Sequence, residues 1–141
     1  MRTVVRNVLA VLAGIVVGSL VNMGLVTIGP LVVPPPGGAD VTTSEGLRES
    51  MKFFTPANFL FPFLAHAFGT LAGAYVAARL ASSHAVKLAL GVGVFFLAGG
   101  IAAVIMLGGP VWFIAADLLI AYFPMGYLGA VLAGATRSRA A

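Results

Sequence analysis

ANFLFPFLAHAFGTLAGAYVAARLA, residues 57–81, is the stretch that decides how this chain folds. A bilayer's hydrocarbon core of about 30 Å takes about 20 apolar residues at 1.5 Å each, and this run is long enough to cross it. Ala65, Gly69, Gly73 and Ala77 recur at every fourth position. They therefore share one helix face, a stripe of small side chains with a G-x-x-x-G on which a second backbone can lie close. His66 borders that stripe, and Arg79 closes the segment at its far end.

Working outward, three further apolar runs repeat the pattern. Residues 1–29 begin with Arg2 and Arg6 and then run apolar from Val8, an opening that a signal peptide shares, with Val17-Gly18-Ser19 as a cleavage site. The apolar run continues to Val33, longer than a signal peptide's core, so a retained helix over 4–28 is expected. Ala10, Gly14, Gly18 and Asn22 line one face of it. Gly29-Pro30 is expected to stop this helix, and Pro34-Pro35-Pro36-Gly37-Gly38 to run extended and then break.

The polar stretch Asp40–Lys52 carries Thr42 and Glu45 at capping-box spacing. Leu47, Met51 and Phe54 fall on one face, away from Glu45, Glu49 and Lys52. A short amphipathic helix on the membrane surface is expected, closed by Pro56, with a plain ordered loop as the alternative. Residues 58–81 form the second span, with Asn58 as its expected cap and Pro62 in its first turn. Ser82-Ser83-His84 turns the chain into a third span over 85–107. Gly108-Gly109-Pro110 turns it into a fourth over 111–135, where Pro124 is expected to kink the helix and free a carbonyl. The prediction is an all-α polytopic membrane protein. It is a single membrane domain, 1–141, with a bundle of four transmembrane helices and a surface helix on the 29–57 connection.

Composition agrees. The chain is 60% hydrophobic and 9% charged, where a soluble domain carries about 25% charged residues. The net charge of +4 does not indicate nucleic acid, because the basic residues are scattered at segment ends with no Lys/Arg run. The expected partner is the lipid bilayer, with a homodimer through the small-residue helix faces as a further expectation. The absence of cysteine excludes disulfides, thiolate catalysis and Cys-ligated metals. Arg2, Arg6, Arg79, Lys87, Arg137 and Arg139 share one side of a four-span topology. Arg48 and Lys52 lie on the other with Asp40, Glu45 and Glu49. The positive-inside rule then makes both termini cytoplasmic and the 29–57 connection periplasmic. This bias argues against dual topology, and the unequal connections argue against an inverted repeat.

Counting in from the helix ends brings Asn22, His66 and Asp117 to a similar depth. A lone ionisable group inside a membrane is costly and faces protein or a wet cavity, so His66 is the natural partner for Asp117. Three readings stay open for Asn22, His66 and Asp117. They are interhelical glue, a site for a proton, ion or small ligand, or residues that never meet. The first gives the expected function, a non-enzymatic structural or interaction protein, placed ahead because the polar content is so low. The second gives the alternative, a small transporter or ligand-binding protein. No cofactor is expected, since two strong ligands fall short of the three or four a metal site uses. No enzyme is expected either, because no Ser or Cys nucleophile is read at matching depth. Trp112, Tyr122 and Tyr127 read as interfacial anchors, with the lining of a cavity as the alternative. Phe53, Phe54, Phe59, Phe61, Phe63 and Phe68 read as packing under the long connection, a composition that a lipid or quinone pocket would share.

The segments VGSLVNMGL (17–25), VVPPPGG (32–38), HAFGTLAGAYVAARLA (66–81) and WFIAADL (112–118) resemble short bacterial four-helix membrane proteins. The resemblance spans nearly the whole chain. It implies a bacterial inner-membrane location and brings no activity with it.

Overall fold

The computed structural model describes residues 1–136. The basic tail Arg137-Ser138-Arg139, part of the charge reading, lies outside the described residues. The helices are α1 (Arg2–Val32), α2 (Ser44–Ser50), α3 (Leu60–Leu80), α4 (Ala85–Leu107), α5 (Val111–Ile120) and α6 (Phe123–Leu132). Short 3-10 turns follow α2 at Met51–Phe53 and precede α3 at Pro56–Phe59. Four units are long and apolar enough to cross a membrane: α1, α3 with its leading turn, α4, and α5 with α6. The protein is thus a multi-pass helical bundle with a short helix between its first and second spans. Leu9, Leu12, Leu20, Ile105 and Leu119 stand exposed on its flanks, as a hydrocarbon solvent allows.

α3 is the hub, with α1, α4 and α6 packed around it. The cause is its run of small residues, which leaves room for a neighbour on more than one side. Against α1, a Cβ on Gly14 would stand 2.5 Å from the Gly73 carbonyl oxygen. One on Gly69 would stand 2.9 Å from that of Gly18. The two backbones therefore touch directly, and dispersion between them replaces the large interdigitating side chains of a soluble core. On another side, Ala74 and Ala78 meet Ala89 of α4 and Ala130 of α6. At the end of the bundle carrying the N-terminus, Asn7 ties α1 to the α3–α4 turn. Its amide donates to Ser83 Oγ at 2.9 Å, and its carbonyl accepts from the Ser82 amide at 3.0 Å.

The structure corrects several local expectations. α1 does not stop at Gly29-Pro30 but continues to Val32. Proline's ring disfavours helix in the residue before it through that residue's Cβ, and Gly29 has none. Only the hydrogen bond to the Val26 carbonyl is lost. The cap of α2 is Thr43, whose hydroxyl accepts from the Gly46 amide at 3.0 Å, and not Thr42. Thr42 instead donates through its amide and hydroxyl to Asp40. Asn58 does not cap the second span. Its side-chain oxygen accepts from the Thr55 amide at 2.9 Å and its amide donates to the Pro34 carbonyl, pinning the connection to the bundle. Leu47, Met51 and Phe54 are partly buried while Glu45, Glu49 and Lys52 are exposed, the amphipathic division the spacing predicted.

Hydrogen bonds from Thr42 and Thr43 hold the Asp40 carboxyl below its ordinary value of 3.8. A carboxylate with a depressed folded-state value contributes its full stabilisation above the unfolded value and loses it as pH falls through the folded one. The Thr42 amide proton resonance is therefore expected to titrate with a midpoint below the ordinary aspartate value of 3.8. An NMR titration in which it moves with an ordinary aspartate midpoint would show that these bonds do not form.

Candidate functional site

α3 carries His66 one residue past buried Ala65, on the edge of the face that meets α1. α5 carries Asp117 inward, 2% exposed. The two side chains meet: His66 Nδ1 lies 2.8 Å from Oδ1 of Asp117 and 3.0 Å from Oδ2. An ionised carboxylate only accepts, so Nδ1 carries the hydrogen and donates it.

A third member joins them. The Tyr122 hydroxyl donates to Asp117 Oδ2 at 3.0 Å, and its ring lies tilted against that of His66 with centroids 5.7 Å apart. Tyr122 is 1% exposed, which corrects its reading as an interfacial anchor. In a continuous helix a residue five positions on points about 140° away, so Tyr122 should have faced elsewhere. The fourth span breaks at Ala121–Tyr122, where Tyr122 takes φ −114° and ψ −73°. The cause is Pro124, which has no N–H for the Ile120 carbonyl. The break swings the tyrosine back toward the carboxylate five positions before it. Room for it exists because α4 has Gly100 there, and a Cβ at that position would collide with the hydroxyl.

Asn22 bonds to neither His66 nor Asp117 among the described residues. It packs beside Gly69 and lines the cavity onto which His66 opens. That cavity, about 310 Å³, has Ser19 and Met23 of α1 on one wall and Phe96, Gly99 and Gly100 of α4 on the other. His66, with its side chain 24% exposed, closes the back together with Tyr122. Ser19 was passed over in the sequence although it sits one turn before Asn22. It lies at the level of the pair but makes no hydrogen bond to His66. One turn beyond His66, the Thr70 hydroxyl is fully buried and has no hydrogen-bond partner among the described residues. Asn58 bonds Thr55 and Pro34 and takes no part in this layer.

The arrangement has a definite chemistry. The carboxylate fixes the tautomer and the plane of the imidazole through Nδ1, leaving Nε2 to accept a hydrogen bond or a proton. Tyr122 donates to the second carboxylate oxygen, and Asp117 is not among the residues that line the cavity. Among the described residues, no further His, Cys, Asp or Glu joins the pair to form a three-ligand cluster.

Fold and site together define a multi-pass α-helical membrane protein with a hydrogen-bonded His–Asp–Tyr triad inside its bundle. Comparisons with protein-family models, with curated proteins and with solved structures return no match for this chain. The geometry alone therefore carries the functional reading.

Proposed function

We propose that this chain is a small, non-enzymatic protein of the bacterial inner membrane, termini cytoplasmic, that binds or carries a small molecule at His66. The supporting observation is the division of labour in the imidazole. One ring nitrogen is locked by a buried carboxylate, while the other has no partner among the described residues and belongs to a ring lining a cavity. Interhelical glue needs the first bond but gives no reason for the second feature. Asn22 and Ser19 supply further hydrogen-bonding groups to the same space.

The test is what travels with the protein. Full-length chain purified in mild detergent is extracted with organic solvent, and the extract is analysed by mass spectrometry. A compound enriched with the wild type should fall about tenfold in His66→Ala, the effect of losing one or two hydrogen bonds. It should be unchanged in His84→Ala, whose histidine sits on an exposed turn. Identical extracts from all three chains would assign the triad to packing alone, the role of a structural or interaction protein.

A further inference from the structure

The lining of the cavity beside His66 comes from the middle of the spans alone. It includes no residue of the 33–59 connection, of the 108–110 turn, or of the opposite end of the bundle. Neither aqueous face therefore supplies its entrance. Ser19, Met23 and Gly99, which rim it, are exposed on the flank of the bundle, so it opens sideways between α1 and α4 onto hydrocarbon. Toward the N-terminal end Phe96 plugs the gap, its ring 2.7 Å from where a Cβ on Gly18 would stand.

The walls restrict what can enter from the bilayer. Among the described residues no Lys or Arg lines the cavity, so an anionic head would lose its hydration with no opposite charge to meet it. A cationic head would be held from Asp117 by the imidazole and Tyr122, and the walls favour a neutral occupant. His66 Nε2 accepts a hydrogen bond, while the Asn22 amide and the Ser19 hydroxyl can donate one. A hydroxyl answers both, giving its hydrogen to the imidazole and accepting from the amide. Phe96 and Tyr122 present aromatic rings and Met23 a polarizable thioether, surfaces that suit a flat ring. At about 310 Å³ the space is at the lower end of small-molecule pockets, about 300–1,000 Å³, enough for a single ring and not for its tail.

We propose that this cavity takes the phenolic head of a lipid-dissolved molecule, which enters between α1 and α4 and leaves its apolar tail in the bilayer. The proposal rests on the reading of His66 as a binding residue and adds to it the ligand class and the route.

The probes are an alkylphenol with a photoactivatable diazirine on the first carbons of its tail, and its O-methyl ether, each added to the full-length chain in lipid nanodiscs. The phenol should label α1 near Met23 and α4 near Gly99. The ether cannot donate to Nε2 and should label about tenfold less. Gly99→Phe should abolish labelling at both places by filling the mouth. A Cβ there meets nothing within 4 Å, so the first atom of the new side chain displaces no backbone. Equal labelling by phenol and ether, labelling unchanged in Gly99→Phe, or labelling confined to the 33–59 connection would overturn the proposal. A His66-dependent compound in the solvent extract that the phenol fails to displace would overturn the ligand class and leave the binding reading standing. Absence of any His66-dependent compound would remove both.

Discussion

Gly73→Ile is expected to lower the stability of the bundle by about 3 kcal/mol, the upper end of the usual cost of overpacking. The obstacle is the reason for that magnitude. A Cβ at residue 73 would stand 2.6 Å from the carbonyl oxygen of Gly14. A backbone atom inside a helix cannot rotate aside as a side chain can. Relief requires α1 to move off α3, and that also opens the contact between Gly18 and Gly69. Against a typical total of about 5–15 kcal/mol, such a loss is severe. Gly91→Ile is the control, because nothing lies within 4 Å of a Cβ there. Isoleucine has a better helix propensity than glycine, so this control should be neutral or slightly stabilised. Reversible unfolding in mixed detergent–SDS micelles, followed by circular dichroism, measures both. Equal midpoints for the two variants would mean that the α1–α3 backbone contact does not hold the bundle together.

Asp117→Leu is expected to cost about 2 kcal/mol, and two magnitudes bracket the figure. Hydrogen bonds between membrane helices average about 0.6 kcal/mol and reach about 1.7. Removing one partner of a fully buried pair costs about 3–5 kcal/mol. Here the orphaned Tyr122 hydroxyl is buried, while His66 keeps a cavity on its other side, so the loss falls between the two. A double-mutant cycle isolates the triad. Tyr122→Phe should cost about 0.6–1.7 kcal/mol in the wild-type chain and should restore stability once Asp117 is gone, because it removes the hydroxyl that Asp117→Leu orphans. Strict additivity of the two substitutions would show that the hydroxyl and the carboxylate do not interact. The same Asp117→Leu chain should also release the His66-dependent compound, because an imidazole without its carboxylate is free to turn and change tautomer.

Much of the architecture is legible in the sequence. Spans of about 20 apolar residues declare themselves by length, and residues 85–107 were bounded as α4 is observed, Ala85–Leu107. The small-residue faces are equally plain, since spacing by four places Gly14 with Gly18 and Gly69 with Gly73 whatever the partner. Local punctuation was less reliable. Thr42 and Thr43 offer the same hydroxyl at adjacent positions and both donate to Asp40, but only the Thr43 hydroxyl also accepts from the Gly46 amide at the start of α2. Asn58 looks like a helix cap because its amide can serve as one. It serves the turn before the helix because Thr55 and Pro34 lie within its reach.

In the site the division runs between the pair and the triad. His66 and Asp117 were matched by depth and by the cost of leaving either alone in hydrocarbon, an argument needing no coordinates. Tyr122 could not be found that way. Helical periodicity turns it away from Asp117, and only the break at Ala121–Tyr122 turns it back. Ser19 was invisible for a different reason, because a serine facing a cavity and a serine facing lipid carry the same spacing.

By itself, then, the sequence determined the number of spans, their length and the faces on which backbones can close. Apolar length and residue spacing act along one helix at a time. The tertiary structure alone decided which faces meet, that the fourth span bends to bring Tyr122 onto Asp117, and that a cavity remains between α1 and α4 beside His66. Those outcomes depend on how separate helices lean on one another. That is set by the volume each side chain leaves for its neighbour, and no single helix encodes it.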